Sequence, residues 1–372
     1  MEQKKHQKHT KLPLRENDNF APNEIAILGT KCSIIADFVQ KIAENLQKKA
    51  KIAYLDASHS DTISEPLFDT FTAHHSGNLN VVLSEHLNKN NDKIRFSDYD
   101  LLFINGNHYK GAKQILILDN EKETSVLKRL DQLDRVQFIV KLNDDSNFFD
   151  FLIEKYPTVK NLKCYSINDI EAISKHIYNL VQEKIAPVQG LVLAGGKSSR
   201  MGKDKTQLEY YGKSQLDHTV ELLEKNLLKT FVSVAVDQTS EKYDYIQDRF
   251  VDLGAFGAVC SAFQYDPNKA WFVLAADLPF VNNDLIQLLL KRRNPTKVAT
   301  AVKGKSKEFV EPLIAIYEPK AYPKLLSYLA QGYSCPRKVL INSDVEIVEV
   351  DDELIRNINT PEEYQQVLKE LK

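Results

Sequence analysis

Cysteine is scarce in this chain, and what there is lies scattered. Cys32, Cys164, Cys260 and Cys335 include no C-x-x-C pair. That spacing excludes a zinc cage or a disulfide framework and predicts free thiols in a cytoplasmic protein. No apolar run approaches the ~18–20 residues of a membrane helix, so no membrane partner is expected. The opening stretch, MEQKKHQKHTKLPLRENDNF, is polar and basic throughout and does not read as a secretory signal. One-sided charge is missing as well. The 49 Lys and Arg nearly cancel the 51 Asp and Glu over 372 residues, which removes any bulk attraction to nucleic acid. Nor does the sequence present a Ser/His/Asp or Cys/His arrangement for covalent catalysis. What remains is an ordinary globular composition, 43% hydrophobic, in a chain long enough for two domains of about 100–200 residues each.

The most informative stretch is Leu191 to Lys205, LVLAGGKSSRMGKDK. Leu191, Val192, Leu193 and Ala194 read as a short buried strand. Gly195 and Gly196 follow at once, then Lys197, Arg200, Gly202, Lys203 and Lys205. Glycines let a backbone turn sharply and approach a ligand closely. Exposed N–H groups flanked by cations hold phosphates. A Walker loop is excluded, because Gly190 lies one residue too far back for G-x-x-x-x-G-K-S and Gly202-Lys203 is followed by Asp204. LAGGKSSRMGKDK resembles the nucleotide-binding loop of the molybdenum cofactor guanylyltransferases of the MobA type, whose pattern is LAGG-x-S-x-R-M-G-x-D-K. Related cytidylyltransferases carry LAAG, so Gly195 favours guanine.

The rest of the chain alternates strand and helix. Residues 1–20 read as a flexible basic tail, or as a cationic arm through His6, Lys8, His9 and Lys11. Ile25–Leu28, a helix over Ser33–Lys49 capped by Ser33, and Lys51–Leu55 make a βαβ unit, which implies a parallel sheet. Strands at Leu101–Ile104, Ile115–Asp119 and Val136–Val140 continue it, with helices at Glu121–Leu133 and Ser166–Lys184. Tyr99 to Gly106 resembles the corresponding strand of MobB-type GTP-binding adapters. Residues 21–186 thus look like a MobB-like P-loop domain that has lost its P-loop. Gly29 to Ser33 has one glycine and no G-K-[ST], so it lacks the lysine that would follow the second P-loop glycine and the hydroxyl that would hold Mg²⁺, and Asn105 replaces an acid. Asp56 to His59 and Asn105 to His108 stand at strand ends, where ligands bind in parallel sheets. Pro187 marks the boundary. In 187–372 the expected elements are a helix from Ser214, a strand from Thr230, a short helix over Tyr243–Arg249, a helix after Gly254, the strand AWFVLAA at Ala270–Ala276, strands at Val298–Val302, Leu313–Tyr317 and Val345–Val350, and a last helix capped by Thr360. The expected architecture is α/β, two Rossmann-like domains with mostly parallel sheets flanked by helices.

Asp277 directly follows the apolar strand, so it projects from a carboxyl edge. An acid there is costly to bury unless it binds a cation, and Mg²⁺ prefers one or two protein oxygens with phosphate oxygens. The resemblance implies C-D-x-P at this place, with Ala276 standing for the cysteine. It also implies a second metal ligand at Asn359, since Asn357 to Glu363 matches N-x-N-T-P-E-E, and a guanine contact at Asp248, six residues before Gly254. Here GAFGA departs from the family's G-P-L-A-G, and Asp252 is the alternative for that contact. In the resulting expectation Arg200, Lys205 and Asp277 are catalytic. Leu193, Ala194, Gly195, Gly196, Lys205, Asp248 and Asp277 bind nucleotide, and Asp277 and Asn359 hold Mg²⁺. The implied reaction is GMP transfer from GTP to a molybdopterin-type cofactor, with molybdoenzymes or cofactor-insertion proteins as further partners. A cytidylyltransferase for the same cofactor, a sugar-phosphate nucleotidyltransferase and a non-catalytic cofactor-binding adapter are the alternatives.

Overall fold

The computed structural model describes residues 19–58, 67–84, 88–194, 208–226, 228–358 and 360–370. They divide into two compact units, with the boundary between Lys184 and Ile185. Among the described residues no helix is long and apolar enough to cross a membrane.

The N-terminal unit runs β1 (Glu24–Leu28), α1 (Cys32–Leu46), β2 (Ile52–Leu55), β3 (Thr70–Ala73), β4 (Leu79–Val82), α2 (Lys89–Phe96), β5 (Leu101–Asn105), β6 (Lys113–Leu118), α3 (Glu123–Leu127), β7 (Val136–Lys141), α4 (Asp150–Lys155), β8 (Cys164–Ser166) and α5 (Ile170–Gln182). Its main sheet has the order β2-β5-β1-β6-β7-β8, and every pairing is parallel. All residues of β1 and β5 are buried, as expected where helices cover both faces of a parallel sheet. Ile35, Phe38, Val39, Ile42 and Leu46 recur at helical spacing along α1 and fill one face of that sheet.

Several expectations for this unit need correction. Ser33 is not a cap: α1 starts a residue earlier, and Lys31 occupies the N-cap position without a side-chain bond. The helix expected over Glu121–Leu133 is broken into a 3-10 turn, the short α3 and a second 3-10 turn, so only Val126 of α3 is buried. The helix expected from Ser166 begins at Ile170, because Cys164–Ser166 pairs with β7 as the sheet's edge. The antiparallel β3–β4 hairpin, exposed at every strand position, carries no burial pattern that would have announced it.

The C-terminal unit runs β9 (Val188–Leu193), α6 (Gln215–Glu224), β10 (Thr230–Val234), β11 (Tyr245–Gln247), α7 (Gly254–Tyr265), β12 (Ala270–Ala275), α8 (Asn283–Arg292), β13 (Ala299–Gly304), β14 (Glu311–Tyr317), α9 (Ala321–Ala330), α10 (Pro336–Ile341), β15 (Val345–Val350) and α11 (Pro361–Glu370). The sheet order is β11-β10-β9-β12-β14-β13-β15. Only β14 runs against its neighbours, β12 and β13. Tyr243–Arg249 is not a helix. Ile246 points into the core while Tyr245 and Gln247 stay half-exposed, a period of two that belongs to an edge strand. Ser214 caps α6 by accepting from Asp217 N at 3.1 Å. Gly190 is required by packing, since a Cβ there would stand 2.6 Å from Thr230 Oγ1 and 3.0 Å from Leu223 Cδ1.

The unit's first residues are tied down from within. Arg293 donates to both carboxylate oxygens of Glu318, Nε to Oε1 at 2.7 Å and Nη2 to Oε2 at 2.8 Å. The same Nη2 donates to Ala186 O at 2.7 Å.

Candidate active site

β12 is buried at all six positions and lies parallel to β9, with Ala275 beside Leu193. Ala276 N donates to Leu193 O at 3.2 Å. The two strands therefore end together, and the chain leaves β9 at Ala194 alongside the turn that carries Asp277. Gly195, Gly196, Arg200 and Lys205 lie outside the described residues, as does Asn359.

Leu208 to Tyr211 lie at the same edge. Tyr211 Oη donates to Pro279 O at 2.7 Å, and Tyr364 Oη donates to Glu209 O at 3.1 Å. Tyr210 meets the Tyr364 ring edge-on at 5.1 Å. Burial raises the Tyr210 phenol above its ordinary range, and the neighbouring Tyr364 and Asp277 add to the shift. Leu208, Tyr210, Ile358 and Val367 form a small buried cluster with Phe280 packed on it. The Arg356 guanidinium lies 4.2 Å from the centre of the Phe280 ring.

The carboxyl-terminal segment reaches the same place. Ile358 N approaches Asp277 O at 3.4 Å, one residue before Asn359. Thr360 then caps α11 as expected. Its Oγ1 accepts from Glu363 N at 3.2 Å, and Glu363 Oε2 accepts from Thr360 N at 3.1 Å, a reciprocal pair that fixes where the helix begins.

Glu311 is a residue the sequence reading missed. The β12–β14 register pairs Leu274 with Ile314, and continuing it brings Glu311 opposite Asp277. Burial raises the Glu311 carboxyl above its usual range and Asp277's charge adds to this, against the pull of Arg337, whose Nη2 is 3.1 Å from Oε2. The available signal was an acid opening an otherwise apolar strand. Glu311 thus adds negative charge close to Asp277, with its oxygens taken by Arg337 and by Leu313 N.

Asp248 follows β11 and braces α7. Its Oδ1 accepts from Phe250 N at 2.9 Å and from Ser261 Oγ at 2.9 Å. Asp252 is exposed, in left-handed backbone with φ 63°. Gly257 presses directly on this loop, where a Cβ would lie 2.3 Å from Phe250 O and 3.0 Å from Asp248 Oδ2. Gly257→Ala must therefore push the 248–250 backbone outward. We expect a loss of about 1–3 kcal/mol by urea titration, together with a raised KM for nucleotide if Asp248 contacts the base.

In the N-terminal unit three residues, Gly29 to Lys31, connect β1 to α1. Gly29 has φ 105°, and a Cβ on it would lie 2.2 Å from Ile117 O. Thr30 Oγ1 is spent on Asp119 Oδ2 at 2.7 Å, and Lys31 pairs with Glu121 at 3.4 Å. A turn this short cannot encircle a triphosphate as G-x-x-x-x-G-K-[ST] does. We expect no GDP and inorganic phosphate from GTP that is lost on Lys31→Ala, as measured by chromatography of the products.

His59 lies outside the described residues, but Asp56, Asn105 and His108 come together. Asn105 Nδ2 donates to Asp56 Oδ1 at 2.8 Å, and His108 Nε2 is 3.8 Å from the same oxygen. Cys32 Sγ lies 3.3 Å from that nitrogen. The sequence presented no Cys/His arrangement; the fold brings Cys32 and His108 together.

A sheet of this order, with the chain leaving one central strand beside an acid that ends the next, defines an α/β domain of the kind ligands enter at the carboxyl edge. The C-terminal region has a MobA-like NTP transferase domain, matched over residues 190–346. Among relatives, the molybdenum cofactor biosynthesis bifunctional protein of Synechocystis sp. is 32% identical over 186 residues, 49% of this chain and 54% of that protein. The chain thus spans about half the length of this relative. A probable molybdenum cofactor guanylyltransferase of Carboxydothermus hydrogenoformans is 27% identical, covering 48% of this chain and 93% of its own. Among solved structures, the molybdopterin-guanine dinucleotide biosynthesis protein A of Archaeoglobus fulgidus is 25% identical with a TM-score of 0.42, covering 49% of this chain and 97% of its own.

Proposed function

We propose that residues 187–372 transfer GMP from GTP to a molybdopterin-type cofactor, releasing pyrophosphate. The observation that carries this reading is the NTP-transferase match over 190–346, which contains the Leu193–Lys205 motif. A phosphate oxygen of the cofactor bonds to the α-phosphorus as the bond to the β-phosphate oxygen breaks, and pyrophosphate leaves with that electron pair. Arg200 and Lys205 hold the triphosphate, Lys205 nearest the α-phosphate, and the backbone of Leu193 to Gly196 approaches it closely. Asp248 accepts from N1 and N2 of guanine, an arrangement no other base offers. Asp277 and Asn359 would hold Mg²⁺, with Glu311 adding negative charge nearby. When bound, the ion neutralises charge on the phosphate oxygens. Residues 21–186 serve as a scaffold in a cytoplasmic protein that hands its product to molybdoenzymes or insertion proteins.

The test offers radiolabelled GTP, CTP, UTP and ATP to the purified chain with molybdopterin and Mg²⁺. Pyrophosphate release is expected with GTP. Preference for CTP would overturn the guanine assignment, and no release with any nucleotide would leave a cofactor-binding carrier as the better reading.

A further inference from the structure

Cys32 and His108 are 76 residues apart in sequence and meet at the carboxyl edge of the N-terminal sheet. Cys32 is the first residue of the 15-residue α1, where the helix dipole favours negative charge. Its Sγ faces His108 Nε2 at 3.3 Å and receives Asn107 Nδ2 at 3.6 Å. On the same side of the imidazole, Asp56 is held on both oxygens, by Asn105 Nδ2 and by Tyr54 Oη, each at 2.8 Å. The Arg129 guanidinium fixes the loop by donating to Asn107 O at 2.7 Å and 3.1 Å. Cys32 is half-buried, and the His108 side chain keeps 19% of its exposure.

We infer that Cys32 is a nucleophilic thiol site that takes low-molecular-weight disulfides and becomes a mixed disulfide. Its neighbours set up the sulfur's charge in the resting state. Burial pushes the thiol pKa up, but the bonds from Asn105, Asn107 and His108 and the charge of His108 outweigh it, so the net shift is downward. Among the described residues, the charged and titratable groups around it include His108 after β5, Asp56 and Tyr54 at the end of β2, Lys31 on its own turn with Glu121, and Asp119 through Thr30.

One geometric detail selects the electrophile. The same nitrogen, Nε2, faces both Sγ and Asp56 Oδ1. A hydrolytic triad instead uses opposite nitrogens, one for the nucleophile and one for the acid. His108 Nε2, beside both the sulfur and the carboxylate, stabilises a thiolate. A disulfide needs only that charge. The Cys32 sulfur lone pair attacks one sulfur of R–S–S–R, the new S–S bond forms as the old one breaks, and R–S⁻ leaves with the bonding pair. Cys32 is oxidised and the departing half is reduced.

The test uses the full, reduced chain with oxidised glutathione. Samples are quenched in acid, and site-resolved adducts are counted by peptide mass across neutral to alkaline pH. The rate at Cys32 is expected to titrate with a midpoint below the ~8.5 of a free cysteine. Cys164, whose pKa burial raises, should titrate above it. His108→Gln should move the Cys32 midpoint upward. For each unit of that shift the neutral-pH rate should fall roughly threefold, since tenfold less thiolate is partly offset by a more nucleophilic sulfur. Cys32→Ser should remove the adduct. A midpoint at or above the free value in the native protein overturns the proposal, whether or not His108→Gln folds. So does an unchanged midpoint in a His108→Gln protein with native circular dichroism.

Discussion

Asp277→Ala is expected to lower kcat for nucleotidyl transfer by about 10³-fold or more, the scale on which a single transition-state charge acts in phosphoryl transfer. Asp277 stands where β12 ends beside the exit of β9. No other side chain of that turn, Leu278, Pro279 or Phe280, offers an anionic oxygen. Stability should be nearly unaffected. The neighbouring Glu311 carboxyl is raised in part by Asp277's charge, so removing that charge relieves a repulsion. The diagnostic pair is a melting curve close to wild type and a turnover assay titrated with Mg²⁺. Asp277→Asn should recover part of the rate at high Mg²⁺, and Asp277→Ala should not. An alanine variant retaining a tenth of wild-type kcat would remove Asp277 from the chemistry.

Glu318→Ala should be the most damaging substitution for stability. Glu318 is buried, its side chain 2% exposed, and Arg293 is 13% exposed. Removing the acid leaves a mostly buried guanidinium with the Ala186 carbonyl as its remaining partner in this network. Breaking one side of such a pair costs about 3–5 kcal/mol, which for a unit of this size lowers Tm by about 10 °C or more. Arg293→Met with Glu318→Leu should be far milder than either single loss, because neither charge is left behind. The exposed pair Lys305–Asp351 offers a contrast, since Lys305→Ala should leave the melt unmoved. Differential scanning calorimetry of the C-terminal transition decides, and a shift below about 2 °C for Glu318→Ala would show that water replaces the lost partner.

Much of the frame was legible because its signals are local. AWFVLAA is too apolar for anything but a central strand, and the acid after it had to emerge at the carboxyl edge. Thr360-Pro361 with Glu363 announced α11, and Val345–Val350 was readable to the residue. What escaped depends on contacts distant in sequence. β11 is three residues long and recognisable only through its pairing with β10. Glu311 acquires meaning only once β14 returns antiparallel along β12. Cys32 and His108 become neighbours only because β1 and β5 pair in parallel. Asp248 was legible as an acid near a glycine turn. Its bond to Ser261 required knowing which face α7 presents.

The reversed direction of β14 also bears on how such a site can diversify. Parallel strands deliver chain exits to the carboxyl edge. β14 instead delivers an entrance there: the segment of residues 305–310 joins the end of β13 to Glu311. It can lengthen or change composition without disturbing the β9 exit. One edge thus offers two independently variable inputs, one at the β9 exit and one beside Glu311. A lineage could change the second while leaving the first intact.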